Sequence, residues 1–187
     1  MKVLLRTLLL GCLVAASSVQ ADEYVIDTRG AHAGIQFKFK HLGISWLVGR
    51  FNTFDGKFSY DESDIGKSKI AVNIDVTSLD SNHAERDKHL RSDDFLDVAK
   101  HPDASFVSTR VIDQGDGKAI VYGLFTLMGV SKEIAINANI VGKGEDPWGG
   151  YRAGFEGTTI LKTEEFGLAL PPTNEVELAL YIEGIRQ

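Results

Sequence analysis

Cysteine is almost absent from this chain of 187 residues: Cys12 is the only one. No intrachain disulfide can form, so a folded domain here must rest on its apolar core. Basic charge is also short, with 20 Lys and Arg against 26 Asp and Glu. That balance argues against nucleic acid as a partner and against adsorption to anionic lipid surfaces. Beyond the first residues there is no apolar run long enough to span a membrane. Repeats, low-complexity segments and linkers are missing. So are HExxH, a nucleophile elbow, a cysteine nucleophile and a phosphate loop, and Gly129, Gly149 and Gly150 read as turn glycines rather than a dinucleotide fingerprint.

The residues that are present begin with an address. Lys2 and Arg6 give a basic start, Leu8–Ala16 is a short apolar core, and Val19-Gln20-Ala21 is a small-x-small cleavage site. Cleavage after Ala21 leaves a single secreted domain, 22–187, more acidic still once Lys2 and Arg6 are lost. Leu9-Leu10-Gly11-Cys12 also resembles a lipobox, but its apolar core is very short and broken by Arg6, which favours the cleaved leader.

Most of the remaining chain alternates apolar and polar with a period of two. Ile35, Phe37 and Phe39 alternate with Gln36, Lys38 and Lys40 in a half-buried strand, His32–Lys40. Ser45–Thr53 comes next with apolar residues on both parities, and Asp55-Gly56 reads as a hairpin turn. Lys69–Leu79 is a strand with Ile70, Val72, Ile74 and Val76 on one face. In Ala119–Met128 the inward set is Val121, Phe125 and Leu127. Glu133–Gly142, Tyr151–Lys162 and the strand from Glu175 complete the pattern, with Val176, Leu178, Leu180 and Ile182 inward in the last. The sum is about eight strands, mostly hairpin-linked. Closing them into an antiparallel barrel removes the sheet edges, and a barrel of that size is either filled by side chains or holds one small apolar ligand. A two-sheet sandwich fits the same alternation. Inward Gly123, Ala138 and Gly157 would leave space in the interior unless large neighbours fill it.

One stretch breaks the pattern. Asp80–Phe106 carries His83, His89 and His101, dense charge and helix punctuation. Asn82 with Glu85 reads as an N-cap and capping box, Ser92 with Asp93 and Asp94 as a second cap, and Pro102 as a stop. Two short helices are predicted, Asn82–Leu90 and Asp93–Lys100, inserted between strands, with Phe95, Val98 and Ala99 sharing a face. The stretch plugs one end of the barrel or covers its side. Glu85 with His89, and His83 with Asp87, are four apart and could share a helix face as metal ligands do, but no third ligand follows at a recognisable spacing. Helical ion pairs among Glu85, Asp87, Lys88 and Arg91 explain the same residues without a metal. A lipid-modifying enzyme would have to use His83, Glu85 or His89, and no enzyme is expected.

Several of these segments together resemble the YceI-like proteins of the bacterial periplasm. The resemblance rests on His41-Leu42-Gly43 with Ser45-Trp46-Leu47, the run from Asn82 to Ser92, Asp94-Phe95-Leu96, Pro102 before Phe106, and Asp146-Pro147-Trp148-Gly149-Gly150. It implies an all-β, eight-stranded antiparallel lipocalin-like barrel with a helical insertion at about residues 82–100. It implies a long isoprenoid lipid, polyprenyl or quinone-precursor, in the interior, held for transport or storage and linked to stress. No other cofactor and no metal are expected. Transient contact with a membrane quinone or cytochrome b-type protein, and a homodimer, belong to the same expectation. The lining would then come from Phe37, Phe39, Ile74, Phe106, Phe125, Ile136, Phe155, Leu161, Leu178 and Leu180, with Phe95 closing one end. A filled barrel acting as a stress-linked interaction protein is the alternative.

Overall fold

The computed structural model describes residues 21–170, 172 and 174–187. The leader and lipobox expectations, on residues 1–20, lie outside the described residues, as do Pro171 and Thr173. The strands are β1 (Asp22–Ile26), β2 (Gly34–His41), β3 (Ser45–Phe51), β4 (Phe54–Tyr60), β5 (Lys69–Asp75), β6 (Leu79–Asp80), β7 (Asp103–Gly115), β8 (Lys118–Leu127), β9 (Val130–Glu145), β10 (Tyr151–Lys162) and β11 (Glu175–Arg186). One α-helix, α1, spans Ala84–Arg91.

These strands make eight staves, because three staves are each built from two strands end to end. β11 carries β10 on one edge. On the other it takes β2 along Glu177–Tyr181 and β1 along Gly184–Arg186. β3 then pairs β2 and β4 pairs β1, while β5 pairs β4 and β6 pairs β3. β7 to β11 run on in sequence order, every pairing is antiparallel, and the β1–β11 pairing closes the ring. The expected eight-stranded antiparallel barrel is what forms. The period-two alternation drives it: one parity of each stave turns inward, and closure leaves no long greasy edge in water.

Four local expectations fail, each for a physical reason. Asp55-Gly56 is not a hairpin turn but lies inside β4, paired with Asn73 and Val72. The glycine serves close approach there: a Cβ on Gly56 would stand 2.6 Å from the Ala71 carbonyl oxygen. Lys69–Leu79 is not one strand. A 3-10 turn at Val76–Ser78, capped by the Asp75 carboxylate accepting from the Thr77 N–H, interrupts it. The second predicted helix is a run of turns, with the Ser92 carbonyl accepting from the Phe95 and Asp97 N–H groups and Asp97 at φ 42°. So short a helix has little stability of its own, and burying Leu96 in the barrel mouth overrides it; Leu96 is buried while Ala99 is exposed. Finally, α1 is capped by His83, whose Nδ1 accepts from the Arg86 N–H at 3.2 Å, while Asn82 sits at φ 61° just before it.

The inward glycines do not all leave space. A Cβ on Gly49 would fall 2.2 Å from the Phe37 ring, one on Gly123 2.4 Å from the Phe106 ring, and one on Gly184 2.5 Å from the Phe58 ring. Each glycine is the seat of an aromatic ring from a nearby strand, an arrangement that fills the gap and pins the register. At Gly123 the backbone closes in too, since the Val107 carbonyl oxygen would lie 2.6 Å from the added carbon. Gly123→Ala should therefore destabilise the fold by about 1–3 kcal/mol through overpacking, read as a lower urea midpoint with an unchanged slope. An unaltered midpoint would show that the Phe106 ring is free to leave its seat.

Candidate functional site

The inward faces enclose two apolar chambers. The larger is about 160 Å³, lies in the body of the barrel, and is lined by Phe106, Ile136, Phe155 and Leu180, with Ile26, Phe58, Ile70, Val72, Val121 and Ile134 among its other walls. The smaller, about 80 Å³, lies at the end closed by the insertion and is lined by Phe37, Phe39, Phe51, Leu79, Phe95 and Leu161. Ile74, Phe125 and Leu178 line both chambers. All three are buried, so they form a septum of side chains between two hollows. The interior is thus neither a solid core nor a single continuous hollow. Each of the eleven predicted lining residues faces one chamber or both.

The inward aromatic rings are held against one another. Phe155 meets Phe58 and Tyr60 edge-on at 5.4 and 5.3 Å between centroids, and Phe125 meets Phe166 at 5.7 Å. Phe166, Leu168 and Leu170 come from the connection between β10 and β11, and they are residues that alternation could not place. Leu168 and Leu170 line the smaller chamber, while Phe166 packs in the same core cluster. Phe166 belongs to a 3-10 turn, Thr163–Phe166, ended by Gly167 at φ 80°. The rest of the missed lining, such as Val72 and Ile134, sits on the inward parity of its strand and was legible there.

The helical insertion closes the smaller chamber with Leu90, Phe95 and Leu96. Its charged residues do not form the expected ion pairs within the helix. The buried Asp87 carboxylate accepts from both the N–H (2.9 Å) and the hydroxyl of Ser81, and the Arg86 guanidinium donates to the same hydroxyl at 2.7 Å. Arg91 donates to the Leu79 carbonyl oxygen at 2.6 Å. These bonds tie α1 to β6 and hold the plug in place. His89 lies against Phe95 edge-on and reaches Asp94 at 3.3 Å. His83, Glu85 and His89 do not converge on one point.

A different cluster does converge, at the opposite rim. The ligand atoms of Asp27, His32 and Glu183 lie within 4.8 Å of one another, the sort of spacing a metal ion uses. The site already holds a cation. Arg152 donates to Asp27 at 2.7 Å and to Glu183 at 2.5 Å from Nη1, and to Asp146 at 2.8 Å from Nε. The Arg152 guanidinium, then the His32 ring and the Gly30 N–H, hold the Asp27 carboxyl far below its ordinary range. Arg152 and the Gly150 N–H likewise lower Asp146. The Asp146-Pro147-Trp148-Gly149-Gly150 stretch is thereby explained: Asp146 Oδ1 accepts from the Trp148 and Gly150 N–H groups, folding the loop that delivers Asp146 to Arg152. The cluster bonds β1, β10 and β11 where the first stave is interrupted.

Comparison with known proteins places this geometry. A family model described as the YceI-like domain matches residues 24–184. A UPF0312 protein of Shewanella denitrificans is 54% identical over 189 aligned positions, covering 100% of this chain and 99% of that one. The crystal structure of Burkholderia cenocepacia BcnA superposes with a TM-score of 0.75 at 19% identity, covering 84% of this chain and 98% of that one. A polyisoprenoid binding domain from Saccharophagus degradans, implicated in plant cell wall breakdown, superposes with a TM-score of 0.65 at 13% identity, covering 90% of this chain and 100% of its own.

Proposed function

The chain belongs to the YceI-like family, and from that premise we propose that it carries or stores a long isoprenoid lipid in its barrel, in the periplasm, after removal of its leader. The observation that supports this reading most is the pair of apolar chambers meeting at Ile74, Phe125 and Leu178. An apolar cavity of about 150 Å³ stays dry and accepts a benzene-sized guest. The larger chamber matches that scale, so a chain of several isoprene units needs both chambers and must turn the three septum side chains aside. The ligand itself supplies the driving force, about 0.8 kcal/mol for each methylene withdrawn from water. A repeated branched chain suits such walls, because they offer contact everywhere and fixed polar partners almost nowhere. The fold shared with a polyisoprenoid binding domain points the same way. Delivery to or from a membrane quinone or cytochrome b-type protein would complete the route.

Solvent extraction of protein purified from its native host, with mass spectrometry of the extract, tests the reading. An intact prenyl lipid near one per molecule is the expected result. Clean extracts from repeated native preparations would favour the stress-linked interaction protein instead.

A further inference from the structure

The hairpin of β2 and β3 is longer than the barrel needs. β2 meets β11 only along Gly34–Lys38, and β3 meets β6 only at Arg50 and Phe51. Residues 39–47 pair only with one another, and Val48 only with Lys38, so the hairpin projects past the rim. It does so at the end where the smaller chamber lies, and Phe39 on its inner face lines that chamber.

The projecting part is apolar where a soluble tip is polar. Ile44 is 84% exposed, Leu42 69%, and Trp46 and Val48 54% each. Leu42 also occupies a costly place. The tip turn, closed by the Ile44 N–H donating to the His41 carbonyl oxygen, puts Leu42 at φ 54° and Gly43 at φ 74°. Asn, Asp or Gly is favoured at such a position, and a bulky residue there is strained. The chain makes the same kind of turn with Asp116-Gly117, where the residue is polar, and with Met128-Gly129, where the methionine packs against the core. Leu42 has neither excuse: it is apolar, strained and in water.

Lysines surround this tip. The ammonium groups of Lys38 and Lys40 lie 5.0 and 5.7 Å from the Trp46 ring centroid. Lys38 also pairs with Glu177 at 3.0 Å, whereas Lys40 forms no ion pair among the described residues. Apolar side chains at the point, an indole one step behind and lysines beside it are the order in which a bilayer presents acyl chains, interface and phosphate.

We propose that the β2–β3 tip is a membrane anchor, inserting Leu42 and Ile44 among lipid chains with Trp46 at the interface and Lys40 on phosphate. The occupant is a phospholipid bilayer, and the docked end is the one that holds the smaller chamber. The acidic balance of the whole chain still opposes broad adsorption, so the contact is a small tip rather than a face. The inference does not depend on which lipid fills the barrel.

The test uses purified protein carrying Trp148→Phe, which leaves Trp46 as the only indole of the 22–187 domain, and vesicles of phosphatidylethanolamine and phosphatidylglycerol at 3:1. Co-sedimentation with a blue shift of Trp46 emission is expected. Leu42→Asp/Ile44→Asp should weaken binding at least tenfold, Lys40→Gln about fivefold, and Ile44→Leu should bind like the parent. The tip is exposed, so thermal midpoints should match. Parent protein left in the supernatant, or a double variant that binds as well as the parent, would overturn the proposal. So would self-association of the parent in buffer that the double variant abolishes, since the occupant would then be a second copy. Lipid extraction reads the barrel separately: a parent protein that carries lipid yet stays off the vesicles condemns the anchor alone.

Discussion

Ile136→Glu is expected to lower the isoprenoid lipid that co-purifies with the protein at least tenfold while the barrel still folds. Ile136 is buried on β9 and faces the larger chamber. Its methyl group leans diagonally over Gly157, the partner of Ala138 on β10, and a Cβ on that glycine would stand 3.0 Å from it. A carboxylate there has no cation among the lining residues, and a charge left unpaired in an apolar hollow costs several kcal/mol. Water drawn in to solvate it competes with the lipid chain, and 1.4 kcal/mol already corresponds to a factor of ten. Phe155→Glu should act in the same sense, because the Phe155 ring lies between Phe58 and Tyr60 beside the same chamber. A neutral variant separates lost space from lost folding. Ala138→Phe adds apolar volume to the chamber without charge, so it should also expel lipid, yet keep or raise the unfolding midpoint. Full occupancy in a folded Ala138→Phe protein would mean that the lipid lies outside this chamber.

The second large effect is on stability. Arg152→Met should lower the thermal midpoint by about 10 °C and move the acid-unfolding limb to higher pH. Arg152 satisfies three carboxylates at once, of which Asp27 and Asp146 have side chains only 6% and 7% exposed. Removing the guanidinium leaves buried negative charges facing one another, which destabilises far more than the loss of a surface pair. The depressed carboxyls set the pH sense. Asp27 and Asp146 titrate below the ordinary value of 3.8 in the folded protein. Their stabilisation is therefore complete above that value and is lost as the pH falls beneath it toward their folded values. Without Arg152 the carboxyls bind protons more readily, and acid stability fails earlier. Asp27→Asn in the Arg152→Met background should recover part of the midpoint, since one of the stranded charges is gone. Equal acid limbs for parent and Arg152→Met would show that the cluster holds no net energy.

The parity of the strands was legible because one face of every stave is dry, and an alternation of period two records that directly. That is why Phe37, Phe125, Leu161 and Leu178 could be assigned inward from spacing alone. Residues without a period were not legible. Phe166, Leu168 and Leu170 enter the interior from an irregular connection, and only the closing of the barrel decides which of them meets Phe125 or the smaller chamber. Helix signals misled in a similar way. Ser92, Asp93 and Asp94 have the chemistry of a cap, but Ser92 closes α1, and the burial of Leu96 in the barrel mouth governs the backbone beyond it. Asp55-Gly56 has turn chemistry, yet the glycine is there for a neighbouring backbone.

By itself the amino-acid order determined a β architecture, an inward apolar face, a helical interruption near Ala84–Arg91 and the absence of covalent staples, since each is a property of spacing or composition. Tertiary structure alone decided that three staves are spliced from paired short strands, that Arg152 gathers Asp27, Asp146 and Glu183 across 125 and 31 positions of chain, and that Ile74, Phe125 and Leu178 divide the interior in two. Those outcomes depend on which strands lie side by side when the ring closes, and a local pattern along one strand carries no information about the residue opposite.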